Sequence, residues 1–285
     1  MKILVTGATG QLGSLVVENL LKKVAPEQLA VSVRDPRKPK NLRRQGVDVR
    51  QGDFDRPESL PPAFAGADRM LLISTTGDNE TRIRQHRAAV AAAQAAGVKF
   101  IAYTSLAKAD RSALSLAEVH RETEEAIRRS GVSFSFLRNN WYLENETGTI
   151  RAVVNGAPWL TSTGSGRVGF APRRDYAEAA AAVLTSAGHE NTVYELSGKP
   201  ITHDELAAEL AAVLGREVRV DHVDDATFAD RLRAAGTPEP IVSVLVAMQK
   251  AIRDGALDVE SGDFEKLLGR PLTPIRDALR ALVVH

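Results

Sequence analysis

Gly7, Gly10 and Gly13 follow the apolar stretch Ile3-Leu4-Val5 with two residues between each pair, and here the chain is best equipped for chemistry. A strand that ends in such a turn and opens into a helix can seat the pyrophosphate of a dinucleotide. Each glycine has its own steric role. Gly7 allows the tight turn, Gly10 lets backbone approach a phosphate, and Gly13 lets the helix pack closely on the sheet. Leu12, Leu15, Val16, Asn19 and Leu20 follow at helical spacing, so the phosphate would meet free N–H groups and the positive end of a helix dipole. The run Gly7, Ala8, Thr9, Gly10, Gln11, Leu12 and Gly13 is therefore expected to hold a nicotinamide dinucleotide.

Four later segments are expected to complete the site. Val33-Arg34-Asp35-Pro36-Arg37-Lys38 closes the second strand-like run. A carboxylate at a strand end there would bond the ribose 2′-hydroxyl of NAD, whereas Arg34, helped by Arg37 or Lys38, suits a 2′-phosphate, so the cofactor expected is NADP(H). Asp35 is the competing signal. Gly52-Asp53-Phe54-Asp55 is either an adenine pocket or a plain turn. Ser74, Thr75 and Thr76 follow the fourth strand at the sheet edge where ligands bind in open α/β sheets, and would line the ribose and nicotinamide. Beyond the sixth strand, Asn139 or Asn140 could bond a carboxamide or a substrate carbonyl, and Trp141 or Tyr142 could cover a flat ring. The bland alternative is a helix start, with asparagine capping and the aromatics in the core.

The elements needed to position these residues are legible as alternation. Strand-like runs recur at 2–6, 29–33, 47–50, 69–74, 98–103 and 132–137, with helix-like segments between most of them. This predicts an α/β fold: a Rossmann-type, doubly wound parallel sheet over 1–150. The alanine-rich segment 80–96 stops at Ala96-Gly97. From about 150 the texture becomes rich in Gly, Ser, Thr and Pro, and helices are expected at 174–187, 203–214, 225–235, 240–254 and 274–284. Residues 151–285 thus read as a smaller, mainly helical substrate-side lobe. A strand near 193–197 is expected to return to the main sheet, and Val218 and Val220 suggest another short strand.

Composition narrows the functional classes. With 285 residues the chain can bury a full core, and zero cysteines exclude thiolate catalysis, iron–sulfur clusters and disulfides. Lys+Arg 37 against Asp+Glu 36 leaves a net charge of +1, so no global field favours nucleic acid or anionic lipid. Small-molecule partners are expected, with a homodimer also compatible. No signal peptide and no membrane-length apolar run is visible, which points to a cytoplasmic protein.

The glycine spacing with Thr6-Gly7-Ala8-Thr9 resembles the short-chain dehydrogenase/reductase superfamily. Ser105 occupies the place of that superfamily's catalytic serine, but Leu116 and His120 stand where its tyrosine and lysine would be. Leu116, Val119, His120, Thr123 and Ile127 share one helical stripe, so His120 reads as a core histidine, with the nicotinamide ribose as its other possible contact. Together with Val98-Lys99-Phe100-Ile101-Ala102-Tyr103-Thr104-Ser105, Leu137-Arg138-Asn139-Asn140-Trp141-Tyr142, Arg174-Asp175-Tyr176 and Val193-Tyr194-Glu195-Leu196, these motifs resemble the NmrA-like group of atypical short-chain reductases over nearly the whole chain. That resemblance implies NADPH across the carboxyl edge of the sheet, a quinone in a cleft under the smaller lobe, and no Tyr/Lys pair. Without a phenol there is no ready proton donor for a ketone, whereas a quinone that accepts hydride gives a stabilised anion that solvent can protonate. The group also implies an alternative, an NADP(H)-sensing regulator that turns nothing over.

Overall fold

The computed structural model describes residues 1–284. The first half supplies β1 (Ile3–Thr6), α1 (Gln11–Leu21), β2 (Leu29–Val33), α2 (Lys40–Arg44), β3 (Asp48–Gln51), α3 (Leu60–Phe64), β4 (Arg69–Leu72), α4 (Asn79–Ala95), β5 (Phe100–Leu106), α5 (Ala117–Ser130) and β6 (Ser133–Asn139). The second half supplies β7 (Trp141–Tyr142), α6 (Thr147–Val154), β8 (Trp159–Thr161), β9 (Phe170–Ala171), α7 (Arg173–Thr185), β10 (Thr192–Leu196), α8 (His203–Leu214), β11 (Val220–His222), α9 (Asp225–Ala234), α10 (Glu239–Arg253), α11 (Asp263–Leu268) and α12 (Ile275–Val283).

Seven strands form one sheet in the order β10-β6-β5-β4-β1-β2-β3, and every pairing is parallel. The order reverses between β1 and β4, which opens a crevice at the carboxyl ends of those strands. The strands read as continuous apolar runs because both faces are covered. On one face Ile3, Val5, Val31, Leu71 and Leu137 pack with Val16 and Leu20 of α1 and with the alanines of α7. On the other, Leu4, Met70, Leu72, Ile101, Tyr103 and Phe136 meet Phe64 of α3, Ala89 and Ala93 of α4 and Ile127 of α5.

A separate core under the carboxyl edge gathers Trp159, Phe170, Leu206, Leu210, Met248, Ile252 and Leu257. It is built mainly by the elements after β6, where β7 pairs with β9 and β8 with β11, and is joined by Leu106, Ala109, Leu114 and Ala117. β10 lies outside it, beside β6, with Tyr194 opposite Leu137. No helix among the described residues is long and apolar enough to cross a membrane.

Candidate active site

The glycine turn lies at the reversal of strand order. Gly7 takes φ +61°, and the Gly10 N–H donates to its carbonyl at 2.9 Å. A Cβ on Gly13 would stand 2.2 Å from the Gly7 oxygen and 2.9 Å from the Ala8 Cα, so only glycine lets α1 start this close to the sheet. Ala8 and Leu12 turn their side chains into the core, leaving only backbone for a ligand. Gly10 caps α1 with no side-chain bond, and the first turn holds no acidic residue. The N–H groups of Gln11, Leu12 and Gly13 therefore face outward unmatched.

In front of them runs a groove of about 420 Å³. Its walls are Thr6, Gly7, Thr9 and Gly10; Ser32, Val33 and Arg34; Gly52 to Asp55; and Ile73, Ser74, Thr75, Thr76 and Gln85. The structure thus brings together Gly7, Thr9, Gly10, Arg34, Ser74, Thr75 and Thr76, and adds the Gly52–Asp55 turn as a wall. Gln11 sits exposed at the head of α1. Lys38 also stays exposed, outside the walls of the groove.

The rivalry between Arg34 and Asp35 has a local resolution. Asp35 accepts from the Arg37 backbone N–H at 3.0 Å and from its guanidinium at 2.9 and 3.1 Å. The Arg37 hydrogen bonds pull the Asp35 carboxyl down to about 2. Arg37 is thus spent on Asp35, and Arg34 alone lines the groove. A guanidinium there matches a phosphate better than a hydroxyl.

Sequence reasoning missed the face of α4 behind this groove. Gln85 donates to Asp55 at 2.8 Å, and its buried Oε1 has no partner. His86 is fully buried. Thr123 donates its hydroxyl proton to the Val119 carbonyl, so its oxygen accepts from His86 Nδ1 at 2.8 Å. His86 Nε2 then accepts from the Thr75 N–H at 3.0 Å, which assigns the tautomer. Burial, then the nearby Arg82 charge, hold His86 down to about 3, so it is neutral. Arg82 donates to the Ser74 hydroxyl at 2.9 Å, and the Ser74 N–H donates to Thr104 at 2.9 Å. Arg82, Gln85 and His86 recur at helical spacing ahead of the alanine run, the one signal that could have marked them.

The site has no Tyr/Lys pair. Leu116 is the N-cap of α5 and packs against the second core. His120 is buried, with Nδ1 2.9 Å from the Tyr103 hydroxyl. Burial first, then Arg82 and His86, keep it well below its ordinary pKa. Ser105 is committed elsewhere: it donates to Glu124 at 2.6 Å, and Glu124 binds Arg138 at 2.8 Å.

Asn139, Asn140, Trp141 and Tyr142 lie outside the walls of the groove, and their side-chain donors and the Tyr142 hydroxyl bond within the protein. Asn140 donates to Ser197 and to the Leu257 carbonyl, both at 3.0 Å, which ties β6 to two distant segments. The Trp141 indole donates to Glu146 at 2.9 Å. Asn139 donates to the Tyr142 hydroxyl at 2.9 Å, while the Tyr142 ring meets Tyr176 edge-on and lies under Arg173. Most of the hydrogen-bonding groups of these four side chains are thus engaged within the protein. The Oδ1 atoms of Asn139 and Asn140 are left buried and unpartnered.

A dinucleotide fits what is present: open N–H groups at α1, held against the glycine turn because Gly13 carries no Cβ, and an orphaned acceptor at Gln85. Known proteins place the chain in the same company. It is 41% identical over 281 residues to Quinone oxidoreductase 2 of Escherichia coli, covering 98% of each chain. The crystal structure of the NADPH-dependent quinone oxidoreductase of E. coli complexed with NADPH superposes with a TM-score of 0.94 at 41% identity, covering 99% of each chain. Triphenylmethane reductase of Citrobacter complexed with NADP(H) does so at 0.95 and 42%, covering 99% of this chain and 100% of that one. Residues 1–267 match the NmrA-like family, and the chain belongs to that family.

Proposed function

We propose that this protein transfers hydride from NADPH to a quinone. The observation that carries the reading is the pairing of a dinucleotide groove, with Arg34 at its 2′ end, with Leu116 and His120 in place of a Tyr/Lys pair. NADPH supplies the hydride; the residues of this chain bind, orient and shield. The N–H groups of α1 and the backbone of Gly7 to Gly13 take the pyrophosphate, Arg34 takes the 2′-phosphate, and Ser74 to Thr76 bracket the ribose and nicotinamide. In the 139–142 segment Asn139 or Asn140, each with an unpartnered Oδ1, would meet the carboxamide or a substrate carbonyl, and Trp141 or Tyr142 would cover a flat ring. An electron-poor conjugated acceptor holds the arriving pair of electrons itself, so orientation does most of the catalysis. The same logic suits the triphenylmethane reductase this chain resembles.

Residues 1–150 act in this reading as the NADP-binding part and 151–285 as the substrate-side lobe. The exposed Ile241, Val244 and Leu245 of α10 suit a homodimer, which sedimentation would test. A cytoplasmic place, with NADPH at hand, suits the reaction. The direct test is loss of NADPH absorbance on adding a benzoquinone, corrected for the uncatalysed rate and repeated with NADH. Saturable, NADPH-preferring turnover is expected. NADPH binding without turnover across several quinones would replace the reading with an NADP(H)-sensing regulator.

A further inference from the structure

Two guanidinium groups lie at the carboxyl edge of the sheet, and they are treated oppositely. Arg138, on β6, is nearly buried and meets Glu124 at 2.8 Å, Asp110 at 2.9 Å and Glu195 at 3.2 Å. Arg82, near the start of α4, is half-buried, and no carboxylate among the described residues forms an ion pair with it. Among the described residues its side chain makes one hydrogen bond, from Nη2 to Ser74 Oγ, and its Nε is buried with no acceptor. The groups around it cannot compensate the charge. Burial keeps Tyr103 protonated, and His86 and His120 are neutral. Burial lowers the pKa of Arg82, whereas at Arg138 the same effect of burial is outweighed by Glu124 and its other carboxylate partners, which raise it. A partly buried cation with no counter-ion is costly, and a fold that surrounds Arg138 with three carboxylates could have supplied one here.

We propose that Arg82 is an anion-binding residue whose counter-charge arrives with the ligand. Ser74, which holds its guanidinium, is itself a wall of the groove, so an anionic oxygen brought there would find the charge beside it. Two sources offer that oxygen. One is the cofactor's diphosphate. The other rests on the quinone reading: the quinone gains two electrons and a hydrogen as hydride, NADPH is oxidised to NADP⁺, and the acceptor oxygen becomes anionic until water protonates it.

R82Q removes the charge and R82K keeps it. NADPH affinity is read by fluorescence titration and turnover by absorbance over quinones whose hydroquinone anions differ in basicity. A charge-assisted bond in a partly desolvated site is worth roughly tenfold or more. If the diphosphate is the partner, R82Q weakens NADPH binding by that factor and R82K restores part of it. If the acceptor is the partner, NADPH affinity holds, kcat falls by that factor, and the loss grows with the basicity of the anion. The affinity arm stands even if the protein reduces no quinone. Affinity and kcat both within twofold of the parent would overturn the proposal. So would losses accompanied by a lowered melting temperature that R82K does not recover. Should R82Q not fold, thermal shift of the unaltered protein with inorganic pyrophosphate and with 4-nitrophenolate decides: stabilisation by one or both, weakened in R82K, supports the proposal, and none by either overturns it.

Discussion

The N-termini of α1 and α7 show two answers to one electrostatic problem. Both helices pack on the same face of the sheet and both present unmatched N–H groups at the carboxyl edge. At α7 the protein supplies the anion itself: both oxygens of Glu144 accept from the Arg173 N–H, at 3.0 and 2.9 Å. At α1 it supplies none: Gly10 caps the helix without a side-chain bond, and Gly13 lets the first turn sit against the backbone of Gly7 and Ala8. An N-terminus closed by the chain's own carboxylate is structural, and one left open beside a groove is a binding site.

Substitution should separate the two termini, with the largest effect at α1. Gly13→Val places carbon against the Gly7 carbonyl, and NADPH affinity measured by fluorescence should fall about a hundredfold or more, since α1 must withdraw from the turn. Retained affinity would break the contrast. Arg34→Ala should shift the kcat/KM preference for NADPH over NADH by roughly tenfold to a hundredfold, with NADH nearly unaffected.

Acid should act next, on the latch between Thr75 and His86. His86 titrates near its ordinary 6.5 when unfolded but only at about 3 when folded, so the unfolded state takes up protons first. Its contribution is intact above pH 6.5 and is lost progressively from there toward pH 3, by about 1 kcal/mol per pH unit. His203, held down to about 4 by burial, adds to the slope over 6.5 to 4. Melting temperatures measured from pH 7 to 4 should fall, and His86→Gln should flatten the curve. The smallest effect is at α7: Glu144→Gln should cost about 1 kcal/mol of stability by denaturant titration and leave NADPH affinity unchanged. A change in affinity there would mean that the two termini are not separate.

What can be read from the sequence is what is local in it. Gly7 to Gly13 and Arg34 owe their positions to neighbours a few residues away, and the strand-and-helix alternation needs only apolar periodicity. The sequence puts Asn140 beyond β6 correctly but does not reveal its aim, because Ser197 and Leu257 are 57 and 117 residues away in the chain. Arg82, Gln85 and His86 are hidden for another reason. A helix so rich in alanine reads as scaffold, and its polar face gains meaning only once the Ser74–Thr76 loop folds against it.

β10 carries a consequence for how the chain reaches this state. Its partner β6 ends at Asn139, and the pairing waits until Thr192 has been made and brought back to the sheet. Closing that long loop is an entropic cost met late, so the sheet has to persist for a time with β6 as its edge. A bare parallel edge invites pairing with other chains. Truncation after α6 would make that interval permanent, and the fragment would aggregate; during synthesis, the growing chain is most exposed to the same fate between the emergence of β6 and that of β10.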